Sequence, residues 1–118
     1  MDTNMILRDG TVHLTDDESL TAVVVGPMLR PMQLNVLVPE VSAGDNLDVE
    51  LEFNDDGSTQ IDNMNMENIT VLGLYSIPFF THHTYLLVKL ETSNNTDLFG
   101  HVKVWISPVG RYDAPHDS

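Results

Sequence analysis

Apolar and acidic residues alternate without a break over Leu47-Asp48-Val49-Glu50-Leu51-Glu52-Phe53. Successive side chains of a strand point to opposite faces. The pattern therefore predicts a strand with Leu47, Val49, Leu51 and Phe53 on a dry face and Asp48, Glu50 and Glu52 on a wet one. A helix would scatter both sets around its circumference. Asn54-Asp55-Asp56-Gly57-Ser58 follows directly and reads as a turn.

The same period recurs along the chain. Met32–Val38 alternates with Leu34, Val36 and Val38 inward and stops at Pro39. Thr84–Glu91 places Leu86, Val88 and Leu90 inward, with Lys89 and Glu91 outward. In Leu98–Ile106, Val102, Val104 and Ile106 face in, and His101, Lys103 and Trp105 share the outer face. Leu20–Val25 is a β-branched run that ends at Gly26-Pro27, and Ile69–Tyr75 is another, closed by Pro78. Thr59–Met66 is a weaker returning strand, poor in β-formers. Thr11–Thr15 alternates briefly and reads as a short edge strand. No segment of helical length shows a 3.6-residue period.

These short, evenly spaced strands predict an all-β fold: a single antiparallel β-sandwich, jelly-roll-like, over residues 18–107. Residues 1–17 form an extended N-terminal arm on this reading, and 108–118 an irregular C-terminal tail marked by Pro108, Gly110 and Pro115.

Composition narrows the function. The 118 residues suit one domain. Eighteen acids against five Lys and Arg give a net charge of −13, which repels phosphate backbones and argues against a nucleic-acid partner. The chain has no cysteine, so disulfides, thiolate metal sites and a Cys nucleophile are excluded. Met1–Met5 has neither a basic nor an apolar leader character, and no apolar run approaches the ~18 residues of a membrane span. A cytosolic protein with no membrane partner is the expectation.

The candidate chemistry is thin. Glu52, Asn54, Asp56 and Gly57 fit part of a calcium-loop spacing, but the first ligand is Glu and the twelfth position is Asn63, so a metal-free turn is expected. Asp48, Glu50 and Glu52 lie on one strand face, where exposed cross-strand pairing with Lys89 or Lys103 suits them better than paired acid–base catalysis. His82 and His83 are adjacent and point apart in a strand, and His13, His101 and His116 fall in other elements, which leaves no metal-ligand pattern. No nucleophile elbow or phosphate loop occurs. No catalytic residue, cofactor or metal is expected. Trp105, outward beside Lys103, and Phe79-Phe80 after Pro78 are the aromatic candidates for an interface.

Taken together, Met1–Gly10, Leu47–Leu51 running into Asp55-Asp56-Gly57-Ser58-Thr59, the strand near Tyr85–Leu90, the polar loop Ser93–Asp97 and the close Ser107-Pro108-Val109-Gly110-Arg111-Tyr112 form an ordered set. In these features the chain resembles small bacteriophage proteins that decorate or cement the capsid shell. It departs from them at Gln60-Ile61, where such proteins tend to carry an aromatic residue. The resemblance implies a non-enzymatic virion protein, assembled in the host cytoplasm. It would bind the capsid exterior as a dimer or trimer and clamp neighbouring major capsid subunits. The expected contacts are Met5, Ile6 and Leu7 of the arm, Phe79, Phe80, Trp105, and Tyr112 of the tail. Two other readings fit the fold class: a carbohydrate-binding module stacking sugars on Trp105, Tyr85 and Phe99, and a phage tail or connector component.

Overall fold

Among the described residues nine strands make two antiparallel sheets, and the longer central ones owe their place to the alternation of their residues. The computed structural model describes residues 5–42, 44–92 and 99–110. The strands are β1 (Met5–Asp9), β2 (Glu18–Ser19), β3 (Val23–Val24), β4 (Met32–Val38), β5 (Leu47–Asn54), β6 (Asp62–Ile69), β7 (Gly73–Phe79), β8 (Tyr85–Thr92) and β9 (Lys103–Pro108). The first sheet runs β1-β9-β4-β7. The second runs β2-β8-β5-β6, with β3 also paired to β8.

With β2 and β3 counted as one interrupted edge strand, the connectivity is that of a jelly roll. β1 pairs β9, β2 and β3 pair β8, β4 pairs β7, and β5 pairs β6. The two further contacts, β4 with β9 and β5 with β8, close the sheets. This is one long hairpin of paired segments folded over itself, so that successive pairs fall in alternate layers. The protein is an all-β single compact domain with two sheets packed as a sandwich.

The core lies between the sheets. Leu34, Val36, Val38, Val104 and Ile106 of the first sheet meet Leu47, Val49, Leu51, Leu86, Val88 and Leu90 of the second, all of them buried. Phe53 and Phe79 touch across the layers with ring centroids 5.8 Å apart. Phe99 and Leu14 close one end; the Leu14 N–H donates to the Gly100 carbonyl, and the Phe99 N–H to Leu14.

Several boundaries differ from expectation, each for a local reason. The arm expected over residues 1–17 is corrected from Met5 onward, because Met5–Asp9 pairs with β9 as an edge strand. Thr11–Thr15 is not a strand; Asp9 instead caps a turn by accepting from the Thr11 N–H and hydroxyl. Leu20–Val25 is not one strand, since the ladder breaks between Ser19 and Val23. The strand expected at Ile69–Tyr75 divides: Ile69, paired with Leu47, ends β6 just past a bulge at Asn68 (φ 60), and Gly73 starts β7. β7 also continues through Pro78, which an edge strand tolerates because its outer N–H needs no partner.

Candidate functional site

The outer face of the second sheet is a wall of carboxylates. Asp48, Glu50, Glu67 and Glu91 line one shallow depression there with Asn65. Glu52, one pleat further along β5, departs from the wet-face expectation and is buried, with Oε2 2.8 Å from Lys89 Nζ. Burial pushes the Glu52 carboxyl up, but the Lys89 ammonium and the hydrogen bond with Glu50 outweigh it and hold the carboxyl below its ordinary value. The same hydrogen bond with Glu52, reinforced by burial, raises Glu50. Lys89 is raised in turn by Glu52.

The Glu50 shift has a pH consequence. The folded state holds this proton more tightly than the unfolded one, so stability falls as pH rises through the raised value. The penalty grows as pH rises through that raised value and vanishes below the unfolded value near 4.5. Glu50→Gln should therefore stabilise the protein at pH 7 by about 0.2–1 kcal/mol, the scale of a close like-charge pair on a sheet. The gain should disappear at pH 4; thermal melts of both proteins at the two pH values check this.

Asn54 and Asp56 of the acidic turn after β5 spend an oxygen each on the turn's own backbone. Asn54 Oδ1 accepts the Gly57 N–H at 2.6 Å, and Asp56 Oδ1 accepts those of Ser58 and Thr59 at 2.8 and 2.7 Å. These backbone donors pull Asp56 down to about 2. Asp55 reaches across to the Thr84 N–H at 3.1 Å and to His83 Nδ1 at 3.2 Å, both of which lower it. Among the described residues, no cluster of three or more His, Asp or Glu side chains is placed to hold a metal ion.

The outer face of the first sheet is different in kind. Its strand positions carry Asp9 and Lys103 as a cross-strand pair, and otherwise neutral groups. Asn35 sits at its centre, fully buried. It accepts from Gln33 Nε2 at 2.9 Å and from the Ser76 hydroxyl at 2.6 Å, and its own amide donates to Ser107 Oγ at 2.9 Å. The chain leaving β9 turns at Val109–Gly110, and the Gly110 N–H donates to Gln33 Oε1 at 3.2 Å. Trp105 lies in this face between Ile6 and Asn35, its neighbours in register.

That placement corrects the most prominent interface candidate. Trp105 points away from the sandwich core as expected, yet it is only 1% exposed. Outward does not mean solvated here, because the centre of this face is itself buried. Phe79 is corrected too: at 3% exposure it fills the core against Phe53. Phe80 is 47% exposed, with His82 set edge-on to its ring at 5.3 Å. Met5 and Leu7 are half-buried against the core, and Ile6 is 39% exposed. Tyr112 lies outside the described residues. The sugar-stacking trio is dispersed, since Trp105 and Phe99 are buried and only Tyr85 is partly open.

Two features escaped the sequence reading. Arg8 is buried at the open side of the sandwich between β1 and β2, where a cavity of about 460 Å³ runs beside it. Its Nε and Nη2 donate to the two Glu18 carboxylate oxygens at 3.0 Å each. Its Nη1 donates to the Val102 and Val12 carbonyls at 2.7 and 2.9 Å. The second feature is Leu29, 98% exposed in the loop between β3 and β4. Pro27 and Pro31 bracket that loop, and no sequence pattern marks its leucine as outward. His13 and His101 also stack, with centroids 4.0 Å apart, and His101 Nδ1 donates to the Gly10 carbonyl.

The comparisons with known proteins add no relative: no family model, no curated protein and no solved structure matches the chain.

Proposed function

We propose that the protein is a structural virion component that binds the outer surface of a phage capsid and cements contacts between major capsid subunits. It works as a homo-oligomer and performs no chemistry. The observation that carries this reading is the disposition of groups on the jelly roll. Asp56 of the turn after β5 is turned onto the turn's own backbone, Asp55 onto the Thr84 N–H and His83, and Glu52 is tied to Lys89. Ile6, Leu29 and Phe80, by contrast, are left open to a partner. Polar atoms already satisfied within the chain have little to offer a substrate, whereas exposed apolar side chains gain by being covered. The resemblance of the whole chain to decoration proteins points the same way.

Cementing needs no single tight contact. Many copies, each bridging two subunits, add their modest affinities into a stable coat. The acidic second sheet suits a solvent-facing exterior and keeps the protein off nucleic acid. Mixing purified protein with undecorated shells tests the reading. Saturable binding at a whole-number ratio to coat subunits, with a raised shell melting temperature, is the expected result. Uptake that never saturates, or no gain in heat resistance, would overturn it.

A further inference from the structure

Each sheet has two edges, and an edge strand leaves half of its main-chain groups without a strand partner. Three of the four edges here are blunted. β7 carries Pro78, which has no N–H. β1 shifts register between Ile6 and Arg8 and holds Arg8 inward. β2 and β3 are two residues each. β6 differs: it is eight residues long, it ends the second sheet, and none of Asp62 to Asn68 is buried. Its one bulge lies near its end, at Asn68.

The direction of its main-chain groups follows from its neighbours. In an antiparallel ladder the N–H and C=O of one residue point to the same side, and those of the next residue to the other. The Leu20 N–H donates to the Val88 carbonyl, so the even residues of β8 face β2 and the odd ones face β5. Lys89 is opposite Glu50, so the even residues of β5 face β8, and Val49, Leu51 and Phe53 face β6. The Ile61 N–H, donating to the Phe53 carbonyl at 3.0 Å, agrees. Leu51 is opposite Met64, and Val49 opposite Met66, so both methionines turn their main chain to β5. The N–H and C=O groups of Asn63, Asn65 and Glu67 are left aimed away from the sheet. Asp62 Oδ1 takes the Asn63 N–H at 2.8 Å; among the described residues no strand takes the others.

We infer that this edge is a homodimer interface: β6 pairs antiparallel with β6 of a second copy, about a two-fold axis at Asn65. The inference deepens the homo-oligomer part of the proposed function and needs nothing of the capsid part. The strand's own sequence selects an identical partner. With Asn65 opposite its counterpart, each Asn65 N–H meets the other's carbonyl, and each Glu67 N–H meets an Asn63 carbonyl. Met64 falls opposite Met66 on the inner face, where both are partly buried against the core and gain by being covered. Asn63 falls opposite Glu67 on the outer face, an amide against a carboxylate. No like charges meet at these positions, although a net charge of −13 opposes self-association in general. A strand of another protein could fill the main-chain bonds, but this two-fold match of side chains is a property of the sequence with itself.

Sedimentation velocity of the wild-type chain should show a dimer that tightens as salt is raised, because salt screens the repulsion between two acidic bodies. Asn65→Pro removes the donor at the axis without touching the β5 ladder, and should weaken the dimer at least about tenfold. Single cysteines then read the register, since opposed Cα atoms about 5.5 Å apart suit a disulfide. The chain has no cysteine of its own to interfere. In oxidised glutathione Asn65→Cys should cross-link to itself. Asn63→Cys and Glu67→Cys should each fail to cross-link alone and do so when mixed. Wild type that sediments as a monomer or a trimer, or a dimer in which Asn65→Cys does not cross-link, would overturn the inference and leave shell binding untouched. A dimer cross-linked in this register that ignores undecorated shells would uphold the inference and sink the cement reading alone.

Discussion

Replacing Trp105 by alanine should cost the fold about 3–5 kcal/mol, the range for truncating a buried aromatic. A domain of this size has roughly 5–15 kcal/mol in hand, so the variant is expected to be partly unfolded at modest temperature. Were Trp105 an exposed docking residue, the cost would be within about 0.5 kcal/mol and the loss would appear in binding instead. The ring is 1% exposed on the outer face of the first sheet, flanked by Ile6 and by the Asn35 network. Its Nε1 has no hydrogen-bond partner among the described residues. Trp105→Phe should therefore be mild, about 1.5 kcal/mol or less, since it keeps most of the apolar contact and removes an unpaired donor. Urea titrations of the three proteins, followed by far-UV circular dichroism, decide between these outcomes. Wild type offers a second check: Trp105 is the sole tryptophan, so its native emission should be blue-shifted and move to the red in a single step on unfolding.

The same residue shows what a sequence can and cannot disclose. Alternation is a local property of an extended chain, so Leu47, Val49, Leu51 and Phe53 announced the core face of β5 correctly, as did Leu34, Val36 and Val38 in β4. Facing outward is equally local, and Trp105 does face outward. Whether an outward face is wet depends on what passes over it, which no periodicity records. Strand boundaries failed where backbone geometry outweighed composition: β6 carries on past a bulge at the left-handed Asn68, so Ile69 ends that strand opposite Leu47 rather than starting the next one. The N-terminal segment failed for the opposite reason. Met5–Asp9 has too little pattern to declare a partner, and the strand that captures it lies almost a hundred residues away at Lys103–Pro108. Of the expected contacts, Met5, Ile6, Leu7, Phe79 and Phe80 were named without distinction, and only Ile6 and Phe80 among those five are exposed. Leu29 went unnamed, because exposure of one loop leucine is decided by the burial of Met28 and Met32 on either side.

Arg8 carries the second large prediction, and it turns on the same edge strand. Its side chain is inside the sandwich rim, bonded to Glu18 of the opposite sheet and to two carbonyls. The guanidinium thus ties β1 in one layer to β2 in the other. An inward charge on an edge strand also discourages other chains from pairing there. Arg8→Leu would strand the Glu18 carboxylate and the Val12 and Val102 carbonyls. Losing one partner of a buried pair costs about 3–5 kcal/mol, and solvent screening of the 35% exposed Glu18 side chain brings the expected cost down to about 2–3 kcal/mol. Arg8→Lys should lose a portion of this, about 1–2 kcal/mol, since an ammonium cannot repeat the two-pronged contact while reaching both carbonyls. The decisive comparison is the double replacement. If the damage comes from an abandoned carboxylate, Arg8→Leu with Glu18→Leu should be more stable than Arg8→Leu by at least about 1 kcal/mol, a coupling measurable by a double-mutant cycle. If Met5–Asp9 were a free arm, neither single change would move the urea midpoint, and the edge strand assigned to it would have to be withdrawn.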